Sequence, residues 1–162
     1  MKTTEYKFSY EVYEDSTELA PADAQLLETA RTATQRAWAP YSHFRVGAAA
    51  RMQNGEIVTG ANQENASYPA GICAESVLLA TAGVNWPGLP IDTLAVSYQG
   101  DDILNDHPIS PCGICRQRIK EFEERTQQPI RLILAGQTGQ IYIIPDANLL
   151  MPLAFTANEL PL

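Results

Sequence analysis

All three cysteines of the chain fall in two short clusters, Cys73-Ala74-Glu75 and Pro111-Cys112-Gly113-Ile114-Cys115. An odd set of thiols cannot pair off within one chain, and clustered cysteines of this kind point to metal or redox chemistry rather than a disulfide framework. Cys112 and Cys115 alone fit a metal about as well as they fit a redox pair or buried thiols. Cys73, with a carboxylate two residues on, shifts the balance. Three thiolates with one nearby acid suit an open catalytic zinc site, because a closed structural site normally takes four protein ligands.

The surrounding pattern predicts where these residues lie. A first helix is expected over 21–38, opened by Pro21, which fits a helix start because its missing N–H would be unpaired there. Leu26, Leu27, Ala30, Ala33, Thr34 and Ala37 recur at helical spacing, and Pro40 ends the run. Residues 46–52 and 57–62 read as a hairpin about Asn54-Gly55, since both turn positions accept positive φ. Further strands are expected over 91–98, 130–135 and 141–144, and helices over 73–82 and 112–125. Helix, hairpin, helix, strand, helix and two strands make one α/β domain in three layers, α-β-α, around a mixed five-stranded sheet. Residues 1–19 form an N-terminal arm, with Tyr6, Phe8, Tyr10 and Val12 in weak alternation, and residues 20–162 form the single catalytic domain.

Helices that begin at both clusters favour thiolates, because a helix N-terminus carries partial positive charge and free N–H groups. The gap between Cys112 and Cys115 spans about one helical turn, so both sulfurs reach one ion. With Cys73 on the adjacent helix, three protein ligands leave a fourth position for an acidic water. Glu75, in the first turn after Cys73, is placed to take a proton from that water and pass it to a substrate. The plainer alternative is a glutamate that complements the helix dipole.

Charge narrows the substrate. Eleven Lys and Arg stand against 19 Asp and Glu, giving 11 − 19 = −8. Nucleic-acid binding draws most of its affinity from neutralised phosphates, so this balance favours a small uncharged ligand over nucleic acid. No stretch approaches the ~18 apolar residues of a membrane span, and residues 1–7 lack the apolar core of a signal peptide, so no membrane role and a cytoplasmic location are expected.

Four motifs in order now resemble a known family. They are Ala39-Pro40-Tyr41-Ser42-His43-Phe44-Arg45-Val46-Gly47-Ala48-Ala49, Gly60-Ala61-Asn62-Gln63-Glu64-Asn65-Ala66-Ser67-Tyr68-Pro69, Cys73-Ala74-Glu75, and Ser110-Pro111-Cys112-Gly113-Ile114-Cys115-Arg116-Gln117. Zinc deaminases carry His or Cys, one residue, Glu, and later Pro-Cys-x-x-Cys. The full set resembles the small, homotetrameric cytidine deaminases over residues 21–160.

The resemblance implies one Zn²⁺ per subunit on Cys73, Cys112 and Cys115. It implies hydrolytic deamination of cytidine and 2′-deoxycytidine, with metal-activated water attacking C4 and Glu75 shuttling the proton. It places Asn62 and Glu64 on the ribose 3′-hydroxyl, Phe44 on the base, and the backbone around Ala74 and Ser110 on the amino and carbonyl groups of the base. Leu150-Met151-Pro152-Leu153-Ala154-Phe155 resembles a family ending whose phenylalanine enters a neighbouring subunit's site. Tyr68 matches a residue at the subunit junction, so a homotetramer with shared sites is implied. Plainer readings are a polar turn for Asn62 and Glu64, core burial for Phe44, and closure of its own subunit's core for Phe155.

One position departs from the pattern. All-cysteine members usually have arginine after Cys-Ala-Glu, where this chain has Ser76. Zn²⁺ with three thiolates carries a net charge of 2 − 3 = −1, which makes its bound water less acidic. Ser76 donates a hydrogen bond but no charge, and Arg116 together with the two helix N-termini is expected to compensate. Two rivals stay open: a same-fold deaminase of another aminated base, such as a blasticidin-type nucleoside or a base in polynucleotide, and a non-catalytic binding protein stapled by zinc.

Overall fold

In a computed structural model that describes residues 1–161, six strands make one mixed sheet: β1 (Glu11–Tyr13), β2 (Phe44–Met52), β3 (Ile57–Ala61), β4 (Ile91–Gly100), β5 (Arg131–Ala135) and β6 (Ile141–Ile144). Three helices cover it: α1 (Pro21–Ala33), α2 (Ala74–Asn85) and α3 (Gly113–Thr126). The strand order is β1-β6-β5-β4-β2-β3. Only β4 and β5 pair in parallel; the other neighbours are antiparallel. The parallel pair needs a crossover, and α3 lies in it.

Alternation along the inner strands makes the three layers. Ala48, Ala50, Leu94, Val96, Leu132 and Leu134 face α2 and α3, where Leu78, Ile119 and Phe122 meet them. Ala49, Ala95, Ile133 and Ala135 face the other way, onto Leu26, Leu27 and Ala30 of α1. A strand covered on both faces reads as a continuous apolar run, which is how 46–52 appears in the sequence. Small residues let the helices close in. A β-carbon at Gly60 would collide with the backbone of Ala74 and Leu78, and one at Gly47 with that of Ala30 and Thr34. The first turn of α2, next to Cys73, is thereby seated directly on β3.

Two expectations are corrected. The sheet has six strands, not five, because the arm contributes β1 to the open edge of β6, with Glu11 opposite Ile143 and Tyr13 opposite Ile141. Tyr10 packs on Tyr142 with ring centroids 4.9 Å apart. Helix α1 stops at Ala33 rather than Trp38: a 3₁₀ turn covers Thr34–Arg36, and Trp38 leaves to pair its N–H with Asn62 O at 2.9 Å. The other elements fall within a few residues of their expected bounds.

Behind the sheet, Glu123 of α3 is buried. Its Oε1 accepts from Ile130 N at 2.7 Å, while its Oε2 and Asn148 Oδ1 are both buried without a partner. Burial pushes its carboxyl up to about 7 from 4.5. The folded state therefore holds this proton more tightly than the unfolded chain, and its contribution to stability is lost as pH rises from 4.5 through about 7. Glu123→Gln keeps the acceptor for Ile130 and removes the titration. Its melting temperature relative to the parent should rise between pH 5 and pH 8, by the equivalent of roughly 2.5 kcal/mol at about 1.4 kcal/mol per pKa unit. A pH-independent difference in scanning calorimetry would refute this.

Candidate active site

Helices α2 and α3 start side by side, and the residues preceding them, Cys73 and Cys112, are their N-caps. Cys115 lies in the first turn of α3 and is buried. The three sulfurs lie within 4.8 Å of one another, with Cys73 Sγ 3.8 Å from Cys112 Sγ and Cys112 Sγ 3.5 Å from Cys115 Sγ. All three are free thiols. Tetrahedral zinc with bonds of about 2.3 Å requires sulfurs roughly 3.8 Å apart, so the donor set fits that ion in both chemistry and spacing. Among the described residues this is the one such cluster of three metal-ligating side chains.

The sulfurs differ in how they hold protons. Hydrogen bonding from Cys115, and then from Cys112, lowers Cys73 to about 6 against the opposing effect of burial. Cys115 is shifted the other way, chiefly because it donates to the Cys73 sulfur and also because it is buried. Cys73 is thus held closer to the thiolate a metal needs than Cys115 is. Ser76, buried at the same helix start, lies with its Oγ 3.7 Å from Cys115 Sγ. Arg116 is directed elsewhere: Nε donates to Pro111 O at 2.8 Å and Nη1 to Leu150 O at 2.9 Å. It braces the loop leading into Cys112 against the C-terminal tail. The cation whose charge favours the Cys73 thiolate is Arg118, which the sequence reading did not single out.

Glu75 is only 4% exposed. Burial raises its carboxyl above the usual range, with the Cys115 thiol beside it pulling the other way. A carboxylate destabilised in this way holds a proton more readily than a free one, as a shuttle must. Ala74 opens α2, where backbone N–H groups have no partner within the helix.

A cavity of about 600 Å³ opens beside Cys73, lined among others by Tyr41, Ser42, Asn62, Glu64, Tyr68 and Ile114. The polar loop after β3 is fixed there by short bridges. Gln63 and Ile72 exchange both backbone hydrogen bonds at 2.9 Å, and Glu64 N donates to Trp38 O at 2.7 Å. Asn62 lends its side chain to the sheet: Oδ1 accepts from Val46 N at 2.8 Å and Nδ2 donates to Phe44 O at 3.0 Å. Phe44 stacks on Tyr98, with centroids 5.2 Å apart and planes at 19°.

Two aromatic positions point away from this chain's own core. Tyr68 is 77% exposed at the cavity rim. Phe155 is 57% exposed; its carbonyl accepts from Gln117 Nε2 at 2.9 Å. It lies with Ser76, Gln117 and Arg118 on a second cavity of about 530 Å³, away from Asn62 and Glu64.

Comparison with known proteins agrees with this geometry. Residues 21–128 match a family model described as the cytidine and deoxycytidylate deaminase zinc-binding region. A cytidine deaminase of Halalkalibacterium halodurans is 36% identical over 135 residues, 83% of this chain and 95% of that protein. A cytidine deaminase of Mycobacterium tuberculosis is 34% identical over 121 residues, 73% of this chain and 83% of its own length. The crystal structure of cytidine deaminase from Burkholderia pseudomallei superimposes with a TM-score of 0.70 at 35% identity, covering 81% of this chain and 97% of the other. With its three-cysteine cluster at two helix starts and this match across most of its length, the chain belongs to the cytidine and deoxycytidylate deaminase zinc-binding family.

Proposed function

We propose that the chain catalyses the zinc-dependent hydrolysis of cytidine and 2′-deoxycytidine to the corresponding uridines and ammonia, as a step of pyrimidine salvage. The observation that carries this reading is the buried Glu75 in the first turn of α2, whose N-cap Cys73 belongs to the three-sulfur cluster and lines the same cavity as Asn62 and Glu64. Cys73, Cys112 and Cys115 would hold zinc, which would supply a water acidic enough to react near neutral pH. Glu75 takes a proton from the attacking water, delivers it to N3 of the pyrimidine, and then helps ammonia leave C4. The free N–H groups of the first turn of α2, around Ala74, and the backbone at Ser110 orient the base. Phe44 packs against it, and Asn62 and Glu64 hold the 3′-hydroxyl. Ser76 donates to Cys115, and Arg116 holds the Cys112 loop in place.

Three free cysteines suit a reducing compartment, in keeping with a cytoplasmic enzyme. Among the described residues no helix is long and apolar enough to cross a membrane. The −8 charge favours a free nucleoside over nucleic acid. Residues 20–162 are read as one catalytic domain and 1–19 as an arm that extends its sheet.

Ultraviolet assay of cytidine, 2′-deoxycytidine and blasticidin S, on protein of measured zinc content, tests the reaction. Turnover of both cytidines is expected. Stoichiometric zinc with turnover of blasticidin S alone would move the assignment to the antibiotic nucleoside, and no turnover at all would leave a zinc-stapled binding protein.

The exposed Phe155 and Tyr68 support a homotetramer with sites shared between subunits. Phe155→Ala should raise KM for cytidine about tenfold, the loss expected for one aromatic stacked on a base. Mixed oligomers of Glu75→Gln and Phe155→Ala chains should regain activity beyond either parent, because some sites then draw both intact residues from different chains. A fully active monomer in analytical ultracentrifugation would exclude shared sites.

A further inference from the structure

Glu64 is held by three donors from a single turn. Tyr41 N and Ser42 N donate to Oε2 at 2.9 and 3.3 Å, and the Ser42 hydroxyl donates to Oε1. The turn closes with His43 N on Ala39 O at 3.1 Å, and His43 sits in the left-handed region at φ 54°. That conformation is uncommon for a non-glycine residue, and it follows directly on Tyr41 and Ser42, whose successive N–H groups both meet Glu64 Oε2. The Ser42 hydroxyl also accepts from Phe44 N at 3.0 Å. One side chain therefore joins the residue proposed to pack on the base to the residue proposed to hold the ribose.

A carboxylate has about four acceptor sites. Two on Oε2 go to backbone N–H groups and one on Oε1 goes to Ser42. The site that remains is on the same oxygen that Ser42 grips. Asn62, with one N–H and one acceptor already committed to the backbone of Phe44 and Val46, keeps one N–H free. A hydroxyl seated between the two would donate to Glu64 and accept from Asn62.

We infer that Ser42 is a positioning residue for sugar recognition: its hydroxyl fixes the rotation of the Glu64 carboxylate so that one oxygen faces the 3′-hydroxyl, in register with the base held at Phe44. This rests on the reading of Glu64 as a ribose ligand. Hydrogen bonds to a charged group are roughly twice as strong as neutral ones, so losing this one frees the carboxylate while leaving the chemistry at Glu75 untouched.

The test compares the parent enzyme with Ser42→Ala and Ser42→Thr on cytidine and on 3′-deoxycytidine. For Ser42→Ala, KM for cytidine should rise by about tenfold, with kcat within about twofold. KM for 3′-deoxycytidine should not move, because that substrate has no hydroxyl for Glu64 to accept from. Ser42→Thr, which keeps the donor, should restore the parent values. Ser42→Cys, of similar size but a weak donor, carries the same comparison if the alanine variant does not fold. An equal rise for both substrates would show that Ser42 only shapes the turn, and no rise for cytidine would remove its role; either overturns the inference. If the parent enzyme deaminates both substrates with the same KM, Glu64 is not the 3′-hydroxyl ligand and the underlying reading fails instead.

Discussion

Glu75→Gln should lower kcat for cytidine by about 10²- to 10⁴-fold, the contribution typical of a positioned general acid–base, while the protein still binds one zinc per chain. Glutamine fills the same volume in a site where Glu75 is 4% exposed, so packing of α2 on β3 is preserved. It cannot accept a proton from water or return one to N3, and that is the whole of the intended change. Removing a buried carboxylate that burial has already destabilised should leave the melting temperature unchanged or slightly higher. The measurement is steady-state turnover beside zinc analysis and calorimetry on one preparation. Turnover within tenfold of the parent, at full zinc occupancy, would remove Glu75 from the chemistry. Loss of zinc together with activity would make Glu75 a support for the cluster instead.

The second large effect concerns the metal. Cys112→Ala, or exhaustive chelation of the parent, should abolish deamination and also destabilise the fold. Zinc on Cys73 and Cys112 ties together positions 39 residues apart. Treated as a cross-link closing a loop of that length, it contributes about 4 kcal/mol by the chain-entropy relation, or roughly 10 °C in melting temperature for a chain of this size. Restoring zinc to the chelated parent should recover both activity and melting temperature, whereas zinc added to Cys112→Ala should recover neither. A chelated protein that is zinc-free by atomic absorption and still active would exclude metal chemistry here.

What could be read directly from the residues was what is encoded over short distances. Cys112 and Cys115 lie one turn apart, so their convergence follows from helix geometry. Asn54-Gly55 marks its own hairpin, with Met52 O accepting from Gly55 N at 2.9 Å. The apolar period of α1 marks its buried face; in α3 the same reading expects Ile114, Ile119 and Phe122 inside, but only Ile119 and Phe122 are buried, and Ile114 is exposed at the cavity. What was not readable depends on partners far along the chain. Residues 11–13 alternate like an edge strand, but only the open edge of β6, some 130 residues on, turns them into β1. Helix α1 looks as though it should continue to Trp38, yet Thr34 bonds back to Arg31 O at 2.6 Å and Trp38 is claimed by the loop after β3. The clamp of Ser42 on Glu64 spans 22 residues, and no local pattern announces it. Arg116 looked like a cation for the sulfurs because it lies next to Cys115; only the folded chain shows its guanidinium on Pro111 and Leu150.

The amide of Asn62 acts as a piece of strand backbone, pairing with both Phe44 O and Val46 N. For protein engineering this makes the position a poor dial. A substitution there is judged first by whether β2 and the loop after β3 stay joined, and only then by which sugar is preferred. Libraries aimed at altered sugar selectivity should therefore leave residue 62 fixed and vary its exposed neighbour Asn65, which lines the same cavity and whose side chain accepts from Ser67 N within its own loop.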